Sequence, residues 1–460
     1  MIDTEALRKK VIDLAIQGKL TEQLPSDGDA ETLYAQILDH KSQLIKEGKI
    51  KKEKPLPDIA ADEIPFEIPK NWKWVRIASV GLTVTGTTPP KENKEYYDGE
   101  YPFFKPSDLD AGRHISDGSE SLTNEGWKVS RQLRKGSILV CCIGTIGKSA
   151  IIDVDGTTNQ QINAITPILC DSDYLLYAIE SDSFQKQLQQ GARATTVTII
   201  KKSKFDECII PLPALSEQKR IADKLEEVLA QIDIIDDLQA KYSNDLAVLK
   251  SKIIDAGIQG KLTEQLLEDG DAEDLYAQIM NQKSQLIKEG KIKKEKPLLD
   301  IAADEIPFEI PKNWKWVRLG ELIKINSGTG LTSYQMGKGD IPVYGGNGVT
   351  GYHDESLVNE ETIVIGRVGF YCGSVHVTPE KAWVTDNAFI TQYPKNLINR
   401  DFLVYALRNM NLGQNTNGAA QPVVSGKKIY PLLFALPPFD EQKRIAKRID
   451  DVLTIVDSLQ

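Results

Sequence analysis

No apolar run in the 460 residues approaches the ~20 needed to span a bilayer. The N-terminal MIDTEALRKK lacks the apolar centre of a signal peptide, so a cytoplasmic protein is expected. Cysteine is scarce: Cys141, Cys142, Cys170, Cys208 and Cys372 form no C-x-x-C pair. With only four scattered histidines, a metal site is not expected and the thiols read as reduced and buried. Also missing are a His-Glu-x-x-His pair, a nucleophilic serine elbow, a convincing nuclease pattern, and the glycine-rich and aromatic motifs of methyltransferases. These absences argue against an enzyme.

One stretch needs a separate test. Gly144-Thr145-Ile146-Gly147-Lys148-Ser149 resembles the end of a phosphate-binding loop, which would make the chain a nucleotide-hydrolysing enzyme. The first glycine of that motif is replaced by Cys142. The flanks, 137–141 and 150–156, are β-branched and suit two strands joined by a turn. No helix is expected at Lys148 to aim amides at a phosphate.

What is present is duplication. Residues 18–76 recur at 260–318 with 7 differences in 59 positions. LPALSEQKRIADKLEEVL (212–229) returns as LPPFDEQKRIAKRIDDVL (436–453). Between these near-constant parts lie two unlike blocks, which share only faint echoes: Gly144-x-x-Gly147 against Gly366-x-x-Gly369, and Thr158-Asn159 against Asp386-Asn387. The expected organisation is an N-terminal helical region (1–63), a first block (64–211), a central helical region (212–305), a second block (306–435) and a C-terminal helix (436–460).

The frame reads as helical. From Ile221 onward, Ile221, Val228, Ile235, Tyr242, Leu249 and Ala256 share one seam position. Leu225, Ile232, Gln239, Leu246 and Ile253 share the other, a 3.5-residue period of coiled-coil type. Gln239 is the polar intruder and could fix register. A helix over 216–256 would be about 60 Å long, the span of roughly 18 base pairs. The C-terminal helix continues in heptad phase into the N-terminal one, short by about six residues. The repeat is therefore circular, and two long antiparallel arms are expected, one intact and one split, with both chain ends near its middle. Residues 30–50 and their copy 272–292 form a further amphipathic helix, followed by a charged, proline-stopped linker.

The net charge of −10 is unevenly placed. Residues 64–211 hold 17 basic and 18 acidic side chains, and 306–435 hold 12 and 10, so the helical remainder carries −11. Its acidity suits protein partners better than phosphate. The blocks read as mixed α/β, with strands at 137–141, 150–154, 362–366 and 373–377, a glycine-rich turn at 344–352, and one helix each at 173–190 and 400–411. Polar glycine-containing stretches, 191–204 and 414–428, follow these helices. Asn, Gln and Arg can read base edges there, and Lys can anchor phosphates. Such residues are also ordinary loop formers, so a scaffold without DNA binding stays open.

IPKNWKWVRI (68–77) and IPKNWKWVRL (310–319), the LPALSEQKRIADKL and LPPFDEQKRIAKRI segments, and QGKLTEQL (17–24 and 259–266) together resemble the specificity (S) subunit of type I restriction–modification systems. The resemblance covers essentially the whole chain; the long helical insert is a departure from the minimal pattern. It implies two α/β target recognition domains separated by antiparallel coiled-coil regions in a pseudo-two-fold, circular arrangement. Each domain would read one half of a bipartite, asymmetric duplex DNA target. The helices would dock two methyltransferase (M) subunits, with restriction/translocase (R) subunits joining the full complex. S-adenosylmethionine, ATP and Mg would belong to those partners, and this chain would hold no cofactor. The expected DNA-binding residues are Lys105, Arg113, Lys148, Gln160, Gln161, Arg193, Lys201 and Lys202 in the first block. In the second they are Tyr344, Asn347, Arg367, Asn417, Gln421 and Lys427. The expected partner-binding helices carry Ile221, Leu225, Val228, Ile232, Ile235, Leu246, Leu249, Ile253, Ile445, Ile449 and Val452.

Overall fold

The computed structural model describes residues 1–52, 54–192, 198–294, 296–413 and 423–459. It divides into two compact units, Met1–Gln239 and Ala240–Gln460, and one helix runs through the boundary.

The first unit begins with α1 (Thr4–Ile16) and α2 (Ala30–Lys46). Strand β1 (Lys73–Arg76) then opens the α/β block. A five-stranded sheet holds β2 (Gly81–Thr85), β4 (His114–Ile115), β6 (Ile138–Cys141), β7 (Ser149–Ile152) and β9 (Ile162–Pro167), in the order β2-β9-β6-β7-β4. A smaller sheet joins β5 (Glu120–Leu122), β3 (Tyr97–Phe104) and β8 (Thr157–Thr158). Helices α3 (Asn124–Val129), α4 (Ser172–Glu180), α5 (Asp182–Gly191) and α6 (Lys202–Glu207) complete the block. Strand β10 (Ile209–Leu212) closes it and leads into α7 (Leu215–Ile258).

The second unit repeats the plan: α8 (Ala272–Lys288), β11 (Lys315–Arg318), α9 (Leu319–Leu322) and β12 (Lys324–Ser327) come first. The block continues with β13 (Ile341–Gly345), β14 (Gly348–His353), β15 (Ile363–Gly366), β16 (Val375–Val377), β17 (Trp383–Val384) and β18 (Ala388–Gln392). It ends with α10 (Arg400–Asn409), α11 (Gly426–Ile429), β19 (Leu433–Leu436) and α12 (Phe439–Asp457). One sheet runs β12-β18-β15-β16 and the other β14-β13-β17.

The two near-constant motifs that flank each block are hydrogen-bonded to each other. β1 pairs antiparallel with β10, Lys73 opposite Leu212, and β11 pairs with β19, Lys315 opposite Leu436, in identical register. The block is thus an excursion that leaves and re-enters the frame through one two-stranded doorway. The Glu-Gln-Lys-Arg run after the doorway locks it. Glu217 accepts from Trp72 Nε1 (2.9 Å), and Glu441 accepts from Trp314 Nε1 (2.9 Å). The side chain of Gln218 bonds Asp171 N and Pro213 O, and Gln442 does the same with Asn399 N and Pro437 O, fixing the starts of α4 and α10. Arg220 grips Asp27 through both terminal nitrogens, and Arg444 grips Asp269. Such charge-assisted forks are the strong hydrogen bonds of proteins.

The helical insert belongs to the core of its unit. Ala30, Leu33 and Ile37 of α2 are buried in one cluster with Trp72, Val75, Ile221 and Leu225. Each large side chain so buried contributes about 1.5–3 kcal/mol. Ala272, Leu275 and Ile279 of α8 repeat the arrangement. Gly18 ends α1 in the left-handed region (φ 71°), and a Cβ there would meet Pro69 at 2.5 Å.

Each half of α7 carries an antiparallel companion in its own unit. In the first, Arg8 of α1 pairs with Asp233 (2.7 Å) and Asp236 (2.5 Å). Gln239, the polar seam residue, accepts from Ile2 N and donates to Ile2 O, which fixes the helix register by backbone contacts. In the second unit, Lys250 pairs with Asp457, and Gly257 packs against Ile445 and Ile449 of α12.

Some expectations need correction. The single helix over 173–190 is two, because Ser181 leaves helical geometry (ψ 147°) and its hydroxyl caps α5 at Phe184 N. The glycine-rich 344–352 stretch is mostly strand, forming the hairpin β13–β14. The glycine echo also shifts. Gly144 and Gly369 occupy equivalent places, both with positive φ (81° and 94°), after β6 and β15. Gly366 is instead the last residue of β15.

Candidate nucleic-acid interface

In each block three segments meet at the sheet edge. In the first, the β6–β7 turn holds Cys142, whose N–H donates to Gln161 O (2.8 Å) and whose carbonyl accepts from Ile200 N (2.9 Å). In the second, Arg367 N donates to Asn387 O (2.9 Å) and Arg367 O accepts from Val424 N (2.9 Å). The Ile143–Ile199 and Val368–Val423 bridges complete the match. Gln161 is therefore the counterpart of Asn387, and the segments following α5 and α10 are brought to the same edge. That edge gathers Gln160, Gln161 and Lys201 in one block, and Arg367 and Lys427 in the other. Arg193, Asn417 and Gln421 lie outside the described residues.

The expected cations differ in what they can offer. Lys148 donates to Pro106 O (2.7 Å) and is paired with Asp110, while the Gly144–Ser149 segment is a strand-to-strand turn with no helix after it. It lacks the helix N-terminus that a phosphate-binding loop needs. Lys105 is paired with Glu120, and Lys202 with Asp206 (2.7 Å). Arg113 is paired with Glu180, its guanidinium 3.8 Å from the Tyr177 ring centroid. Burial raises the pKa of that glutamate above its ordinary value despite the arginine. These four charges are already answered inside the domain. Lys201 and Lys427 are exposed and carry no ion pair among the described residues.

Gln160 accepts from Thr88 Oγ1 (2.7 Å), and Gln161 exchanges bonds with Asn159. Asn347 is exposed at the β13–β14 turn. Tyr344 is buried, with its hydroxyl 3.4 Å from Val377 O, and so supports the hairpin rather than presenting a hydroxyl. Arg367 donates to Ser327 Oγ (3.1 Å) and Asp386 O (3.3 Å), contacts that aim it along the edge. Sequence reasoning missed Phe370 and Tyr371, exposed at the tip of the β15–β16 turn. Two adjacent aromatics in a glycine-flanked turn, off any apolar period, were the available signal.

The seam residues also need correction. Ile221, Leu225, Ile232, Leu246, Ile253, Ile445 and Ile449 are buried in the chain's own core, because the heptad face is satisfied by α1 and α12. Val228, Ile235 and Val452 are half-buried. Leu249 alone of the expected set is exposed, beside Tyr242 of the same seam position and Ile234, Leu238 and Val248, which the period did not single out.

The described residues hold no cluster of three or more side chains fit for a metal, and no described helix is long and apolar enough to cross a membrane. All five cysteines are free thiols. Burial pushes Cys141 and Cys142 up to about 11, and Cys170 and Cys208 up to about 12, so none of these four is a ready nucleophile.

Comparison with known proteins agrees with this architecture. A family model described as the type I restriction modification DNA specificity domain matches residues 69–241 and 311–460. The type I restriction enzyme EcoAI specificity subunit of Escherichia coli is 27% identical, over 99% of this chain and 90% of its own length. The EcoEI specificity subunit, also from Escherichia coli, is 30% identical over 69% of this chain and 61% of its own length. Among solved structures, the HsdS subunit of Thermoanaerobacter tengcongensis shares the fold with a TM-score of 0.50 and 20% identity, covering 86% of this chain and 93% of its own. A chain from work on assembly and conformational transition of the type I R-M system matches with a TM-score of 0.59 at 19% identity, over 86% of this chain and 93% of its own. The two family matches fall on the two α/β blocks with their doorway strands and following helices, and the chain belongs to the type I restriction–modification DNA specificity family.

Proposed function

We propose that the two blocks of this DNA specificity subunit are independent readers, each recognising one half of a bipartite, asymmetric duplex target. The observation that carries the reading is the doorway: the same strand register and the same Glu-Gln-Arg locks hold two blocks whose reading edges differ. A frame that repeats while its inserts diverge suits one machine with two specificities. Within each edge, the contacts are assigned to the lysines without an ion pair among the described residues and to polar side chains that are exposed or half-buried. Lys201 and Lys427 anchor phosphates, and Gln160, Gln161, Asn347 and Arg367 face base edges. Arg193, Asn417 and Gln421 remain assigned to the same interface by their place in the sequence. Lys105, Arg113, Lys148 and Lys202 contribute through the domain's internal structure.

The chain itself is assigned no catalytic step. Methylation and cleavage, with their S-adenosylmethionine, ATP and Mg, fall to partner subunits, and two M subunits would dock on the repeated, acidic helical frame, with R subunits joining in the cytoplasm. The duplicated frame supports two equivalent docking surfaces, for which the exposed apolar residues of α7 are better candidates than the buried seam. Co-expression with the M subunit and genome-wide mapping of methylated adenines tests the proposal. A target of two unlike short sequences separated by a gap is expected. A single continuous or palindromic target would contradict it. Binding should weaken steeply with salt, as phosphate contacts require.

A further inference from the structure

The second block presents a feature that the first lacks. Phe370 is 89% exposed and Tyr371 55% exposed, with ring centroids 5.1 Å apart and planes at 84°. One exposed aromatic on a surface needs no explanation. Two neighbours at the tip of a turn that is itself pinned are another matter. Gly369 turns the chain in the left-handed region, and Cys372 N donates back to Gly369 O (3.0 Å). Gly373 N closes the turn on Gly366 O (2.7 Å), and Ser374 N bonds Tyr371 O (3.1 Å). Below it, Cys372 is buried, and Arg367 ties the turn to Asn387 and Val424 on both sides. The rings are therefore carried on a fixed mount, and little backbone freedom would be lost when they are covered. Arg367 stands three residues before Phe370, and Lys427 lies three residues past Val424, which is bonded to Arg367, so two cations belong to the same edge. The matching turn of the first block carries Thr145 and Ile146 at the equivalent places, with no aromatic ring.

An exposed aromatic pair on an edge that also carries cations fits a base contacted beside its phosphates. Aromatic stacking on bases is sequence-tolerant, and apolar wedges that enter a base step unstack and kink a duplex. We propose that Phe370, backed by Tyr371, wedges into a base step of the half-target read by the second block. The wedge would make the deformability of that step part of the specificity, on this half only. The proposal rests on the reading that this edge meets DNA.

The test uses the full chain assembled with its M subunits and a duplex carrying the target found by methylation mapping, with 2-aminopurine placed at each position in turn. Apart from the methylated adenines themselves, which a methyltransferase extrudes in either half, the wild-type complex should show a fluorescence rise at one step in the second block's half and none in the first's. Phe370→Ala should abolish that rise and weaken binding by roughly five- to a hundred-fold, the range of one lost stacking contact. Phe370→Trp should restore both. Flat fluorescence across the second half outside its methylated adenine, together with wild-type affinity of Phe370→Ala, would overturn the wedge while leaving the two-reader account standing. Loss of M subunits from the Phe370→Ala assembly would overturn it in favour of a protein contact. Failure of the wild-type complex to prefer its mapped target would remove the reading on which the wedge depends, and the wedge with it.

Discussion

The two units solve the same structural problem with the same atoms and a different problem with different ones. At the doorway, Trp72 and Trp314 bond Glu217 and Glu441 at the same 2.9 Å, and the strand register does not slip by a residue. At the reading edge, one unit presents Thr145 and Ile146 and the other Phe370 and Tyr371; after the glycine that closes each turn, one has Lys148, bound to Asp110, and the other Ser374. The contrast teaches that the frame's polar locks isolate the block. A block entering and leaving through a fixed pair of strands can gain or lose an edge strand and change its surface without disturbing the helices that hold it.

If that is right, damage to a lock should stay in its own unit. Glu217→Ala strands the buried Trp72 indole N–H and should cost about 1–3 kcal/mol, the penalty of one unsatisfied buried donor. Glu441→Ala should do the same in the other unit. Hydrogen exchange read peptide by peptide should show loosening on one side of Gln239 only. Equal loosening on both sides would break the comparison.

The helix seam gives a smaller, size-graded effect. A Cβ on Gly257 would lie 2.6 Å from Ile449 Cδ1, whereas the corresponding place in the first unit is held by Ala15, fully buried. Gly257→Leu should therefore overpack the seam and cost about 1–3 kcal/mol. Gly257→Ala should change stability by no more than about 1 kcal/mol, since better helix propensity offsets a shift of the isoleucine tip. Urea unfolding of the two variants distinguishes them.

Acid should expose the second lock. Hydrogen bonding to Arg220 holds the Asp27 carboxyl below its usual range, and Arg444 holds Asp269 below its own. A carboxyl depressed by folding stabilises the fold fully above its unfolded value near ~4, and that contribution disappears as pH falls through the lower folded value. Arg220→Met should weaken this acid dependence in the first unit and leave the second unit's intact, as seen by hydrogen exchange between pH 5 and pH 3.

The smallest effect is confined to one block. His114 is partly desolvated, which alone would lower its pKa, but its bonds to Asp153 and Asp173 outweigh that and raise it. A raised histidine stabilises the fold fully below its unfolded value near ~6.5, and the contribution fades as pH rises through the folded value. His114→Gln should flatten a slight loss of first-unit stability between pH 6 and pH 8 and have no counterpart in the second unit.

Much of this was legible in the sequence because it rests on periodicity and repetition. The heptad from Ile221 located α7 to within a residue or two, and Gln239 announced its register contact by being polar in an apolar seam. The motifs flanking each block marked the doorway. What periodicity cannot carry was missed. Ser181 breaks a helical pattern through one hydroxyl cap, which composition does not distinguish from a serine on a helix surface. The equivalence of Gly144 with Gly369, and of Gln161 with Asn387, depends on hydrogen bonds across distant segments. The fates of Lys105, Arg113, Lys148 and Lys202 were hidden for the same reason, since their carboxylate partners are brought near only by the fold.

The central claim is that each block reads alone. Replacing residues 77–211 by the corresponding block of another member of the family, inside the same pair of doorway strands, and mapping methylated adenines genome-wide with the M subunit present measures it directly. The account predicts a new sequence in one half of the target and an unchanged sequence in the other; a change in both halves would contradict it.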